Sequence, residues 1–103
     1  DRAEPVLGGT LSNCAGGPTP WGTWLTCEED KSDFTDLGGL PHGYVFEVSA
    51  NAGETSAVPI KTMGRMDHEA VALDPFTGAL YLTEDDRNQA GLYKFVPDDL
   101  GQR

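Results

Sequence analysis

The chain has 103 residues, 38% of them hydrophobic and 23% charged, a globular balance that excludes a wholly disordered segment and allows at most one small domain or a piece of a larger one. No apolar run approaches the ~20 residues needed to cross a bilayer, so no membrane partner is expected. The 17 acidic against 7 basic side chains leave a formal charge of −10, a field that repels a phosphate backbone, excludes nucleic acid as a natural partner and favours cations.

In chain order, the first informative stretch is residues 8–29. It joins flexible glycines, a lone thiol at Cys14, two tryptophans and a predicted strand over 22–27 that delivers Glu28 and Glu29. Neighbouring residues on a regular strand point to opposite faces. These two carboxylates can therefore share one site only if the strand ends or bulges, and Asp30-Lys31 suggests an end. Further short β-type runs are predicted at 43–48, 60–63, 69–73, 79–83 and 92–96, with almost no helical periodicity. The fold class is all-β. Between the fourth and fifth runs, Asp74-Pro75-Phe76-Thr77-Gly78 combines a turn-entry residue, a fixed-φ proline and a glycine free to take positive φ, and is expected to close a hairpin.

Gly43-Tyr44-Val45-Phe46-Glu47-Val48 resembles Gly91-Leu92-Tyr93-Lys94-Phe95-Val96, a repeat roughly 48 residues apart that fits the length of a propeller blade. The expected architecture is a partial β-propeller of about two blades of antiparallel meander. Such repeats need neighbours to bury both faces, so residues 1–103 are expected to be a fragment of one propeller domain. A small closed barrel or sandwich using all six runs is the alternative.

Carboxylates gather where strands begin and end: Glu28 and Glu29, then Asp67-His68-Glu69, then Glu84-Asp85-Asp86. Clustered oxygens suit hard cations, and a thiolate among them extends the choice to iron or another transition metal. Solvated loop acids are the plain alternative. Trp21 and Trp24 read as packing residues, His68 as a hydrogen-bonded structural histidine, and Arg65 and Arg87 as surface residues. An EF-hand starting at Asp86 is rejected, because its twelfth position is Pro97 rather than a bidentate glutamate. Two cysteines are too few for a zinc ribbon or a disulfide scaffold and leave the compartment open.

Asn13-Cys14-Ala15-Gly16-Gly17, the run Thr19-Pro20-Trp21-Gly22-Thr23-Trp24-Leu25-Thr26-Cys27-Glu28-Glu29, and the later His42-Gly43-Tyr44-Val45-Phe46, His68-Glu69-Ala70-Val71-Ala72, Tyr81-Leu82-Thr83-Glu84-Asp85 and Gly91-Leu92-Tyr93-Lys94-Phe95-Val96-Pro97 stand in this order. In order and spacing the chain resembles the PhoX family of bacterial alkaline phosphatases from about Gly8 to Pro97. The resemblance implies a six-bladed parent exported by the twin-arginine route to the periplasm or exterior. It also implies hydrolysis of phosphomonoesters by an iron and calcium cluster in the central channel.

Carried over by motif, Cys14 is implied as an iron ligand, Glu28, Glu29, Glu69, Glu84 and Asp85 as ligands of iron or calcium, and Asn13 as a catalytic residue facing the phosphate. A thiolate ligand must be free, so Cys14 and Cys27 are expected to be unbonded and Cys27 to be buried. Further ligands lie outside these motifs, so the chain alone is expected to be inactive and to associate through its open strand edges. A calcium-stabilised propeller module that binds a partner without chemistry is the competing reading, and Cys14 separates the two, because a purely structural calcium site has little use for a thiolate.

Overall fold

The computed structural model describes residues 2–49 and 57–98. Strands β1 (Asn13–Pro18), β2 (Thr23–Glu28) and β3 (Val45–Ser49) form one antiparallel sheet in that order; β4 (His68–Leu73), β5 (Leu80–Glu84) and β6 (Leu92–Phe95) form a second. The all-β expectation holds, and two meanders are consistent with part of a propeller. Nothing closes them into a barrel among the described residues.

Five predicted strands lie within two residues of observed ones. The run at 60–63 does not: Lys61–Met63 is a turn of 3-10 helix. Pro59 makes an isolated bridge to Phe46, and Ile60 N–H donates to Val45 O at 2.8 Å. Pro59 has no N–H to extend the ladder, so the segment touches the edge of β3 and turns away, burying Met63. Strand β1 was not foreseen, because its Ala-Gly-Gly centre has no β propensity. Gly17 explains the composition. A Cβ there would stand 2.3 Å from Val71 O, so only glycine lets β1 lie against β4.

The hairpin at 74–78 forms as expected. Gly78 N–H donates to Asp74 O at 2.8 Å, Gly78 takes φ 77°, and the Asp74 carboxylate accepts Phe76 N–H and the Thr77 hydroxyl, both at 2.9 Å.

The two sheets are repeats of one another. Glu29 N–H donates to Ser12 O and Asp85 N–H to Asp67 O; Glu28 N–H donates to Tyr44 O and Glu84 N–H to Gly91 O. Glu28 therefore corresponds to Glu84, and Tyr44 to Gly91. The sequence repeat, which aligned Gly43 with Gly91, is off by one residue. The connection after β2 is much longer than that after β5, so spacing alone does not give the register. A one-residue slip exchanges the faces of a strand, so the correction matters. Correctly aligned, Trp24, Thr26 and Glu28 match Leu80, Leu82 and Glu84.

The core lies between the sheets, with Leu25, Cys27 and Val45 on one side, Val71, Leu80 and Leu82 on the other, and Met63 against them. Each large buried side chain contributes about 1.5–3 kcal/mol. The core-facing sides are non-equivalent faces of the repeat, so the second sheet stacks head to tail on the first, as successive blades do. A sandwich related by a twofold axis would bring like faces together.

Candidate metal centre

Cys14 sits where β1 slips register against β2: Asn13 pairs with Glu28 and Gly16 with Thr26, which leaves one extra residue on β1. Glu69 sits in the matching slip of β4, since His68 pairs with Glu84 and Ala70 with Thr83. A bulge re-aims the side chain it carries. Glu29 lies one residue beyond the end of β2, where its N–H bonds Ser12 O at 3.0 Å. The Cys14 thiol and the Glu29 and Glu69 carboxylates thereby meet, each offering one ligand atom within 4.8 Å of the others.

Asp85, one residue past β5, adjoins this group, close enough for its carboxyl to act on that of Glu29. Desolvation, and then the Asp85 carboxyl, push the Glu29 pKa above its ordinary value. Desolvation followed by the Glu29 charge likewise raises the Cys14 thiol. These are acids crowded with acids, the electrostatic state that a bound cation relieves. The donor set of one thiol and several carboxyl oxygens fits a transition metal beside a harder cation.

Two expected ligands are placed elsewhere. Glu28 is the last residue of β2 and is fully buried. Its Oε1 accepts Gly43 and Tyr44 N–H at 2.9 and 3.1 Å, while Oε2 accepts Leu11 N–H at 2.8 Å and meets His42 Nδ1 at 2.6 Å. Strand alternation turns it away from Glu29. Glu84 Oε1 accepts Gly91 N–H at 3.2 Å and the Tyr93 hydroxyl at 3.1 Å. Glu84 does lie beside the β4 bulge, as the hairpin demands.

Asn13 precedes the bulge and donates from Nδ2 to Thr26 Oγ1 at 2.9 Å. Both line a mostly apolar groove of about 710 Å³, together with Trp24, Val48 and Leu7. Cys14 and Cys27 are both free. Cys27 is buried, and burial pushes its pKa up to about 12, so it remains a thiol.

His68 is buried, as a structural histidine should be, and its Nε2 donates to Gly64 O at 2.8 Å. Its Nδ1 has no partner among the described residues. Desolvation lowers its pKa and keeps it neutral. The sequence reading missed His42, because nothing in a loop position announces a partner fourteen residues back in the chain.

Two blade-like meanders presenting a thiol and carboxylates at matched irregularities define an all-β protein with a candidate metal-ligand cluster. The alkaline phosphatase PhoX family model matches residues 1–103, and the chain belongs to that family. No match to the chain was found among curated proteins or among solved structures.

Proposed function

We propose that this chain supplies part of the iron and calcium centre of an exported phosphomonoesterase. The observation that carries the reading is the convergence of Cys14, Glu29 and Glu69 from two sheets in a member of an alkaline phosphatase family. Cys14 with Glu29 and Glu69 would hold iron, and the neighbouring carboxylates, Asp85 among them, would hold calcium through oxygen alone. Such cations supply charge neutralisation at the phosphoryl oxygens and activation of an oxygen nucleophile.

The chain's own residues position charge. Asn13 has a second Nδ2 hydrogen beyond the one given to Thr26, and we assign it to orient a phosphoryl oxygen of the ester. The substrate class is a phosphomonoester, and the working compartment is the periplasm or the exterior. Strand edges left open at the meanders favour self-association of the isolated chain.

The test is reconstitution of the purified chain with iron and calcium, followed by metal analysis and by hydrolysis of a chromogenic phosphomonoester. Iron should bind and be lost in Cys14→Ser. Turnover should be slight, because this chain brings ligands from two meanders only and a multi-cation site needs tight fixation. Failure of iron to bind while Cys14 remains alkylatable would overturn the reading, and the calcium-only module would replace it.

A further inference from the structure

One buried carboxylate touches, directly or through one further bond, every segment that delivers a cluster residue. Glu28 Oε2 holds Leu11 N–H at 2.8 Å, three residues before Cys14. Glu28 itself directly precedes Glu29, whose N–H is held by Ser12 O at 3.0 Å. Oε1 holds Gly43 and Tyr44 N–H, and Gly43 O in turn accepts Met66 N–H at 2.9 Å, three residues before Glu69.

Gly43 is wedged into this junction. It takes φ 100°, and a Cβ there would stand 2.9 Å from Met66 O and from Lys31 Cβ. Arg65 ties the same junction from the far side, its Nε donating to His42 O at 2.7 Å. Lys31 N–H donates to Asp67 Oδ1 at 2.8 Å. A carboxylate accepting four hydrogen bonds has its lone pairs committed, and a cation would have to break them to gain it.

We propose that Glu28 is a positioning residue for the metal centre rather than one of its ligands: its carboxylate sets the spacing of the segments carrying Cys14, Glu29 and Glu69. This rests on the cluster being a metal site. Residues that orient metal ligands typically cost ~10- to 100-fold in affinity when replaced. A ligand's loss also changes the spectrum of the bound ion, whereas a positioning residue's loss does not.

Glu28→Gln is the informative variant. The amide oxygen can still accept Gly43 and Tyr44 N–H, but its NH2 cannot accept from Leu11, so the β1 arm is cut while the other is kept.

The experiment titrates Co2+ into the full chain and follows the thiolate-to-cobalt absorption band. Cys14→Ser should abolish the band and Glu29→Gln should change the saturated spectrum. Glu28→Gln should reach the wild-type saturated spectrum at ~10-fold or more higher Co2+. A changed saturated spectrum would make Glu28 a ligand and overturn the proposal; an unchanged midpoint would overturn it too. If Glu28→Gln does not fold, His42→Ala, which removes one of the four bonds, should raise the midpoint by a smaller factor with the same final spectrum, and no shift would refute the role.

If wild type shows no cobalt–thiolate band, the metal reading fails by itself. The backbone amide resonances of metal-free protein then decide the spacing role. Those of Ser12 and Cys14 should move in Glu28→Gln while those of Met66 and Glu69 stay, and unmoved Cys14 would sink the idea.

Discussion

The same repeat face meets different fates in the two sheets. In the second sheet it carries Leu80 and Leu82, each 1% exposed beneath the first sheet; in the first sheet the corresponding face carries Trp24 at 50% exposure beside an open apolar groove. The third strands differ in the opposite sense. Val45, Phe46 and Val48 of β3 are buried, whereas Leu92, Tyr93 and Lys94 of β6 are exposed. Among the described residues, no sheet covers the Trp24 face of the first meander, and the last strand of the second is exposed. This asymmetry is what head-to-tail packing of two equivalent meanders leaves at its two ends.

The comparison breaks most readily at the first strands. Gly17 in β1 corresponds to Ala72 in β4, but Gly17 is pressed on Val71 O while Ala72 is exposed. Gly17→Ala should cost ~3 kcal/mol or more, through overpacking against backbone that cannot yield. Ala72→Ser should stay within about 0.5 kcal/mol. Urea unfolding of the two variants checks this, and equal losses would mean that β1 and β4 do not approach as described.

A second contrast concerns the matched glutamates. Glu28→Ala strands three backbone N–H groups and His42, and should cost ~3 kcal/mol. Glu84→Ala releases Gly91 N–H and a Tyr93 hydroxyl near solvent, and should cost less than about 1 kcal/mol. Comparable denaturation midpoints for the two would refute the difference in their roles.

Much of this was legible in the sequence. Alternation and turn chemistry carried β2 to β6 and the Asp74 hairpin, and the carboxylates at strand ends carried Glu29 and Asp85. Three things were not. β1 is stabilised by the approach that Gly17 permits, a tertiary fact with no local propensity behind it. The one-residue slip in the repeat came from comparing apolar patterns across connections of unequal length, where only the ladder fixes register. Glu28 and Glu29 read alike in sequence, and what separates them is that one ends the strand and the other follows it. The motif gave the cluster its residue types, while the bulges at Cys14 and Glu69 gave it its aim.

The candidate cluster draws one bulge residue from each sheet, and the thiol contributed by the first should make metal binding depend on pH. Cys14 must lose a proton to bind a cation, and its pKa is raised, as is that of Glu29. Protons therefore compete with metal, and apparent affinity should rise with pH through the thiol range. Cys14→Asp should remove that high-pH rise and leave the part due to Glu29. Metal titrations at several pH values provide the check; a slope that persists in Cys14→Asp would assign it elsewhere.

The smallest expected effect separates the two hairpin turns. In the β1–β2 turn the local acceptor is a hydroxyl, with Thr23 N–H donating to Thr19 Oγ1 at 3.1 Å and Gly22 taking φ 91°, while the Glu47 carboxylate of β3 accepts the Trp21 Nε1–H and the Thr23 hydroxyl, both at 2.6 Å. Its counterpart in the second sheet uses the Asp74 carboxylate. The Phe76 N–H and then the Thr77 hydroxyl favour the charged form and hold the Asp74 pKa below its ordinary value. A group whose folded pKa is depressed adds stability above its unfolded pKa, and that stability is lost as pH falls through the folded value. Asp74→Asn should therefore lower the unfolding midpoint at neutral pH, and the gap to wild type should close as pH falls below the ordinary aspartate range. Asp30, Asp33 and Asp86 are depressed in the same direction, but they are present in both proteins and cancel in the difference. Thr19→Val should lower the midpoint by an amount that changes less with pH, since Thr19 carries no titrating group itself and reaches the Glu47 carboxylate only through the Thr23 hydroxyl. A pH-independent gap for Asp74→Asn would show that the carboxylate supports its turn as a neutral acceptor does, and the two hairpins would then differ in sequence but not in the physics that closes them.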